Sequence, residues 1–303
     1  MTRDAFATAD PKSTRVGWIG TGVMGAPMCG HILSAGYPLS VHSRSPGKAQ
    51  ALIDRGAHWC ASPADVARAS DVVFTMVGFP DEIEAVYLGG QGVLEGAEAG
   101  MVLVDMSTTS PSLSRRIHEA AAIKALETVD APVSGGDVGA KNAALTVMAG
   151  GNRDTVAALQ PLFDVIARVV NYMGAAGNGQ HAKMCNQLVV AGTMIGVCES
   201  LVYAARAGLD AVKLIEAIRP GAAGCWTLDN LAPRINSDDF EPGFMVEHFV
   251  KDLDIALREA LNMGLKLPGL ELALDLYRRL QQTGHSRSGT QALIHVLRSL
   301  PLE

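Results

Sequence analysis

A lysine and two side-chain amides open the most apolar long segment of the sequence. Lys183, Asn186 and Gln187 are spaced i, i+3 and i+4 in GNGQHAKMCNQL (177–188), so a helix would place them on one face. A lysine amine can give or take a proton near neutral pH when burial, or the positive end of its helix, lowers its pKa. The alternative is a solvated lysine, which the spacing alone favours because most lysines lie at the surface.

A glycine-rich turn near the start of the chain could hold a phosphate group. VGWIGTGVMGAPM (16–28) contains Gly20-x-Gly22-x-x-Gly25 between a strand-like run and a helical run. The first glycine permits a tight turn, the second lets the backbone approach a pyrophosphate, and the third allows close helix–strand packing. Because strand, turn and helix occur in this order, the motif predicts dinucleotide binding and not a purely structural turn.

The end of the second predicted strand indicates which dinucleotide binds. An NAD site would have Asp or Glu there to accept hydrogen bonds from the ribose hydroxyls. This chain instead has Ser43, Arg44 and Ser45, with Lys48 one turn on. A guanidinium and hydroxyls can bind a 2′-phosphate that a carboxylate would repel. A surface arginine after a strand is common, but the missing acid favours NADP over NAD.

Two regions with different patterns must position these groups. From Arg15 to about Met173, short β-branched runs alternate with helical stretches, several of which begin with Ser-Pro. This alternation implies βαβ units and a mostly parallel sheet. After Gly174 the sequence predicts only helices, the first from about 179 to 207. The predicted strands are 16–20, 39–43, 71–77, 101–105, 127–130, 145–149 and 168–172.

The sequence therefore predicts an α/β protein with two domains. An N-terminal Rossmann-type domain, with a doubly wound and mostly parallel sheet, is joined by a long interdomain helix to an all-α C-terminal domain. The predicted boundaries are a flexible tail at 1–14, an NADP-binding domain at 15–176, and a substrate and oligomerisation domain at 177–303. The 303 residues are enough for two cores.

Composition argues against several other classes of protein. The net charge is −6 without basic runs, which disfavours nucleic-acid binding. The five scattered cysteines lack a CxxC pair, so reduced thiols are expected in place of disulfides or a metal site. The N-terminus lacks an apolar signal region, and the longest strongly apolar run, 188–198, is too short to span a bilayer. We expect a soluble, cytoplasmic protein without a membrane partner.

Five separate motifs occur in order along nearly the whole chain from Arg15. They are GWIGTGVMGAPM (17–28), VDMSTTSP (104–111), DAPVSGG (130–136), GNGQHAKMCNQ (177–187) and VKDLDIA (250–256). Together they resemble the β-hydroxyacid dehydrogenase family, which includes 3-hydroxyisobutyrate dehydrogenases and tartronate semialdehyde reductases.

The resemblance implies a role for each matching position. Lys183 would be the catalytic acid or base, and Ser134, Gly135 and Gly136 would hold the substrate carboxylate through a hydroxyl and unobstructed N–H groups. Many relatives have two asparagines where this chain has Asn186 and Gln187, which leaves open which of the two contacts substrate. The residues implied at the cofactor are Gly20, Gly22, Val23, Met24, Gly25, Met76, Val77, Thr108 and Lys251.

These features together predict an NADP-preferring oxidoreductase that interconverts a short β-hydroxy acid and its semialdehyde. Candidate substrates are 3-hydroxyisobutyrate, glycerate or tartronate semialdehyde, glyoxylate and succinic semialdehyde, with the nicotinamide facing an interdomain cleft. The resemblance also implies a homodimer or homotetramer. The alternatives are an imine reductase on the same fold and a non-catalytic NADP-binding scaffold or sensor. The retained Lys183 argues against both, since imine reductases usually replace it.

Overall fold

The computed structural model describes residues 6–299. The chain divides into two compact units, Met1–Lys183 and Met184–Glu303. The division falls later than the predicted boundary at 176/177, because the N–H groups of Gly177 and Gln180 bond to Asp130 of the first unit. Within the predicted flexible tail, Ala9 is buried and its N–H donates to the carbonyl of Ala158, so this part is packed against the unit. Residues 1–5 of that tail lie outside the described residues.

A nine-stranded sheet forms the centre of the first unit, in the order β3-β2-β1-β4-β5-β6-β8-β7, with β9 on β8. Strands β1 to β6 pair in parallel, whereas β8 is antiparallel to β6 and β7. All seven predicted strands are present, and two further ones of two residues each, β3 and β7, were not predicted. The strands are β1 Val16–Ile19, β2 Leu39–His42, β3 His58–Trp59, β4 Val72–Thr75, β5 Val102–Asp105, β6 Glu127–Asp130, β7 Val133–Ser134, β8 Leu145–Gly151 and β9 Ala167–Gly174.

Helices cover both faces of this sheet. Successive residues of a strand point to opposite faces, so Val72 and Phe74 of β4 pack into one apolar cluster and Val73 into another. The Ser-Pro starts at Ser62 and Ser110 are confirmed, since each serine oxygen accepts an N–H of the first turn. A 3₁₀-helix spans Pro46–Ala49. The α-helices are α1 Gly25–Ser34, α2 Gln50–Ile53, α3 Pro63–Arg68, α4 Pro80–Leu88, α5 Val93–Gly96, α6 Pro111–Ile123, α7 Gly136–Lys141, α8 Arg153–Ala158 and α9 Gln160–Asp164.

The second unit is helical, as predicted, and its described residues contain one isolated β-bridge, between Met245 and Gly289, but no strand. Its core includes Leu253, Phe249 and Tyr277, and the rings of the last two meet edge to face with their centroids 4.8 Å apart. A 3₁₀-helix spans Thr290–Ala292. The α-helices are α10 Asn178–Arg206, which begins in the first unit, α11 Ala211–Ile218, α12 Trp226–Asn230, α13 Ala232–Asn236, α14 Val246–Asn262, α15 Pro268–Gln282 and α16 Leu293–Ser299.

Helix α10 is long and apolar enough, by length and composition, to cross a membrane. The eleven-residue apolar run in the sequence did not indicate this, because the helix continues well beyond that run. Only 33% of its most apolar window is buried within this chain, and Val189 and Tyr203 are 66% and 74% exposed. The core helix of a soluble protein passes the same test, so this feature alone does not indicate a membrane protein.

Candidate active site

The direction of strand succession reverses between β1 and β4, and the chain segments that leave these two strands lie side by side. The N–H of Met76, just after β4, donates to the carbonyl of Ile19 at the end of β1 (2.8 Å). In open α/β sheets ligands bind outside the carboxyl ends of the strands at such a point. The predicted cofactor residues of the glycine turn, together with Met76 and Val77, therefore lie where a dinucleotide is expected.

The three glycines of the turn differ in their surroundings. Gly20 has a φ of +97°, which disfavours any other residue. A Cβ at Gly25 would overlap the carbonyl oxygen of Gly20, whereas a Cβ at Gly22 would meet no atom within 4 Å. The turn is thus tight at its start and closely packed at its end, with an exposed backbone at Gly22 and Val23 just ahead of α1. This geometry fits a pyrophosphate approached by backbone N–H groups.

The end of β2 carries an arginine that is paired with an acid from another element. The Arg44 side chain is 84% exposed, and its Nη1 donates to Oε1 of Glu82 in α4 (2.6 Å). The other carboxylate oxygen of Glu82 accepts the N–H of Gly78 (3.0 Å). The sequence has no acid just after β2, but Glu82, which the sequence did not indicate, supplies a carboxylate here from 38 residues away. Ser43 is buried and Ser45 is exposed.

A buried chain of hydrogen bonds joins the ends of β4 and β5. Thr75 Oγ1 donates to Oδ1 of Asp105 (2.9 Å), and the same oxygen accepts the N–H of Ser107 (3.0 Å). Ser107 Oγ in turn accepts the N–H of Val77 (3.0 Å). The backbone at Val77 and the segment that leads into Thr108 are therefore fixed to each other.

Asp130, at the end of β6, holds the start of α10. Its two oxygens accept the N–H groups of Gly177 (2.7 Å) and Gln180 (2.8 Å). A Cβ at Gly179 would lie 2.5 Å from the Asp130 carbonyl oxygen, so only glycine fits this close approach. Burial raises the pKa of the Asp130 carboxyl to about 7, although the two backbone donors favour its charged form.

The titration of Asp130 should be visible as a pH dependence of stability. Because its pKa is raised from 3.8 to about 7, the folded protein binds this proton more tightly than the unfolded chain. The stabilisation from that proton is fully present below about pH 4 and is lost as the pH rises through 7. In urea titrations, the free energy of unfolding of wild type minus that of Asp130→Asn should fall between pH 5 and pH 8. A difference that stays flat or rises would contradict the raised pKa.

Lys183 lies one turn into α10 and is only 8% exposed. Its Nζ donates to the carbonyl oxygen of Val133 in β7 (2.9 Å). The alternative of a solvated surface lysine is therefore wrong. This bond brings the amine next to the segment Ser134–Gly136, which immediately follows Val133.

The segment Ser134–Gly136 turns from β7 into α7. Gly135 and Gly136 have φ values of +125° and +61°, a backbone conformation that favours glycine. Both glycines are exposed, and Ser134 is half-buried. The segment thus presents a hydroxyl and backbone groups without side chains beside Lys183, as a carboxylate site would require.

The predicted residues of the second unit also bond to one another. Gln187 is 2% exposed; its Nε2 donates to Oδ2 of Asp252 (2.6 Å), and its Oε1 accepts from Asn186 Nδ2 (2.8 Å). Lys251 Nζ lies 3.0 Å from Oδ1 of Asp252. Because Oδ1 accepts no geometrically acceptable hydrogen bond, this contact is an ion pair with poor angles. The amide oxygen and the amide nitrogen of Gln187 are thus both hydrogen-bonded, and its side chain is buried. Asn186, by contrast, is half-buried.

Both units match known family models. Residues 15–174 match the NAD binding domain of 6-phosphogluconate dehydrogenase, and residues 177–297 match the model described as NAD-binding of NADP-dependent 3-hydroxyisobutyrate dehydrogenase. The chain belongs to the β-hydroxyacid dehydrogenase family. It is an NAD(P)-dependent hydroxyacid dehydrogenase, so the predicted family, fold class and enzyme class are confirmed.

Individual relatives extend along almost the whole dehydrogenase. A probable 3-hydroxyisobutyrate dehydrogenase-like 1, mitochondrial, of Arabidopsis thaliana is 52% identical over 96% of this chain and 87% of its own length. The 2-hydroxy-3-oxopropionate reductase of Escherichia coli is 33% identical over 93% and 97%. The solved structure of Mycobacterium tuberculosis 3-hydroxyisobutyrate dehydrogenase with L-serine is 31% identical over 94% and 99%, with a TM-score of 0.87. These similarities support dehydrogenase activity of the 3-hydroxyisobutyrate or tartronate semialdehyde type.

Proposed function

We propose that this dehydrogenase interconverts a short β-hydroxy acid and its semialdehyde, with NADP(H) preferred to NAD(H). The observation that carries the proposal is the buried Lys183 amine bonded to the carbonyl of Val133, directly before Ser134–Gly136. This arrangement puts a proton-transfer group beside a segment suited to a carboxylate. A substrate held by its carboxylate there would have a hydroxyl or carbonyl carbon within a short distance of the amine.

Different residues of the first unit transfer the proton and bind the substrate carboxylate. When bound, the nicotinamide cofactor supplies or accepts the hydride. In the oxidative direction the neutral Lys183 amine takes the hydroxyl proton, and in the reductive direction its ammonium form returns a proton to the carbonyl oxygen. The Ser134 hydroxyl and the backbone N–H groups of Gly135 and Gly136 hold the carboxylate.

We assign the amide contact with substrate to Asn186 in preference to Gln187. Both amide atoms of Gln187 are already bonded, to Asp252 and to Asn186 itself, and the side chain is buried. A buried amide with both groups satisfied cannot turn to a substrate without leaving those partners unpaired. Gln187 would instead orient Asn186, while the adjacent Lys251 reaches the cofactor.

The preference for NADP depends on the charge at the end of β2. Arg44→Ser should raise the Kd of NADPH by about tenfold or more, because a charge-assisted hydrogen bond to the 2′-phosphate contributes roughly 1.5–3 kcal/mol. The Kd of NADH, which lacks that phosphate, should change by less than about threefold. Isothermal titration of both cofactors would measure the two constants.

Two matched variants control this comparison. Glu82→Gln removes the carboxylate that is paired with Arg44 and should shift the preference further toward NADPH. Arg68→Ser removes an exposed arginine in another ion pair of the same unit, with Asp65 at 2.6 Å, and should alter neither constant. Equal weakening of NADH and NADPH by Arg44→Ser would eliminate the NADP assignment.

A substrate panel tests the proposed activity itself. The purified protein should be assayed in both directions, with NAD and NADP, on 3-hydroxyisobutyrate, glycerate, L-serine, tartronate semialdehyde, glyoxylate and succinic semialdehyde. We expect turnover with at least one of them, fastest with the NADP couple. Tight NADPH binding without turnover would favour the non-catalytic sensor, and NADPH oxidation with cyclic imines alone would favour an imine reductase.

We also propose a soluble, cytoplasmic homodimer or homotetramer with no nucleic-acid or membrane partner. The exposed apolar side chains of α10, Val189 and Tyr203 among them, support contact with a second copy. Sedimentation equilibrium without detergent measures the association state directly, and a monomer at micromolar concentration would eliminate this part of the proposal.

A further inference from the structure

Gln180, in the first turn of α10, makes two long-range contacts that the reaction scheme above does not use. Its side chain is fully buried. Its Oε1 accepts the N–H of Thr109 (3.0 Å), and its Nε2 donates to the carbonyl of Ser107 (2.8 Å). The two partners lie 71 and 73 residues earlier in the chain, in the segment that follows β5.

These two contacts hold the backbone on both sides of a single residue. Ser107 and Thr109 flank Thr108, which is one of the residues implied at the cofactor. The amide therefore fixes the peptide groups before and after Thr108, while the Thr108 side chain itself is half-buried.

The same helical turn carries the proton-transfer group. Lys183 is three residues after Gln180, and its own bond to Val133 ties it to the segment that leads into Ser134. The backbone N–H of Gln180 is held in turn by Asp130. One turn of α10 thus connects the ends of β5, β6 and β7, and Gln180 is its link to β5.

The chemistry of these contacts requires a glutamine. The side chain must accept from one backbone group and donate to another, which an amide does and an ionised carboxylate does not. Asparagine has the same groups on a side chain one methylene shorter. An apolar residue would leave a buried N–H and a buried carbonyl without partners.

We propose that Gln180 is a positioning residue of this dehydrogenase, which sets the place of Thr108 relative to Lys183 during hydride transfer. The inference rests on the proposed function, because Lys183 transfers a proton only in that scheme and Thr108 lies at the cofactor only if the family resemblance holds at that position. A misplacement of about 1 Å among reacting groups can lower a rate by on the order of 100-fold. Rate, and not cofactor affinity, is therefore the quantity that Gln180 controls.

Gln180→Met in the full-length protein tests this role. We expect kcat to fall by roughly 30-fold or more, with the Kd of NADPH within about threefold of wild type because the glycine turn after β1 is untouched. With 4-deuterated NADPH, the kinetic isotope effect on kcat should rise above the wild-type value, since hydride transfer becomes slower than the other steps. Loss of fold alone would not produce a larger isotope effect.

Gln291→Met is the matched control. Gln291 is also buried, and its Nε2 donates to the carbonyls of Asp239 and Glu241 in the second unit (3.0 and 3.2 Å). This variant should lower the Tm as Gln180→Met does but keep kcat within about twofold and the isotope effect unchanged. Equal loss of kcat in the two variants would show a general effect of instability and overturn the inference.

A second substitution tests the positioning role even if Gln180→Met does not fold. Gln180→Asn keeps both polar groups but cannot reach both partners at once, so it should show a smaller loss of kcat together with an isotope effect above the wild-type value. Wild-type kcat in Gln180→Asn, or in a folded Gln180→Met, would overturn the inference. The proposed activity would survive that result, because its own failure is a wild-type protein that turns over no hydroxy acid or semialdehyde.

Discussion

Replacing Lys183 by methionine should lower kcat by at least ~100-fold while the Kd of NADPH stays within about threefold. Methionine keeps an unbranched apolar side chain at this buried position of α10 but has no group that can give or take a proton. The glycine turn, Arg44 and the end of β4 are unchanged, so cofactor binding should persist. Steady-state assays on the best substrate of the panel, together with isothermal titration of NADPH, measure the two quantities.

A second lysine in the same unit controls for the lost hydrogen bond. Lys124 Nζ donates to the carbonyl of Leu94 (2.6 Å), just as Lys183 Nζ donates to that of Val133. Lys124→Met therefore loses the same kind of bond, at a cost of roughly 1 kcal/mol in stability, without removing a group near the substrate segment. It should turn over normally. Near-normal turnover in Lys183→Met would remove Lys183 from the reaction.

The sequence was sufficient to predict the strands and helices in which a local pattern of apolar residues is long enough to repeat. Predicted strands such as Val72–Thr75 and Val102–Asp105 are runs of β-branched and apolar residues that are buried on both faces. The strands that were missed, His58–Trp59 and Val133–Ser134, have two residues each, too few to show any period. The glycine turn was predictable for a related reason, since its three glycines lie close together in sequence, at the junction of the strand and the helix that identify the motif.

Side chains whose partners lie far away in the chain could not be assigned in this way. Gln180 looks unremarkable in GNGQHAK until its bonds to residues 107 and 109 are seen. Glu82 is 38 residues from Arg44, so the missing acid in β2 gave an incomplete account of the charges there. Asn186 and Gln187 were equivalent in sequence, and the burial of Gln187 and its bond to Asp252 separate them. A single sequence shows which groups are available but not which of them are already bonded.

The glycine turn allows a prediction in which two similar substitutions have different results. Gly22→Ala should leave the Tm of the cofactor-free protein within about 1 °C, because φ at Gly22 is not positive and the new methyl group meets no neighbour within 4 Å. The Kd of NADPH should nevertheless rise by about tenfold or more, since the methyl group stands where the backbone must approach the pyrophosphate. Thermal unfolding with and without NADPH would show this as a loss of the cofactor-induced rise in Tm.

Gly25→Ala should instead destabilise the first unit even without cofactor. Its methyl group would overlap the carbonyl oxygen of Gly20, which also accepts a hydrogen bond from Trp18 Nε1 (3.0 Å). Overpacking of this kind costs about 1–3 kcal/mol and should lower the Tm by several degrees. If Gly22→Ala bound NADPH as tightly as wild type, the turn would be a structural feature only. If both variants lost stability equally, Gly22 would be a packing position like Gly25. That result would contradict the assignment of Gly22 to pyrophosphate binding and of Gly25 to packing at the start of α1.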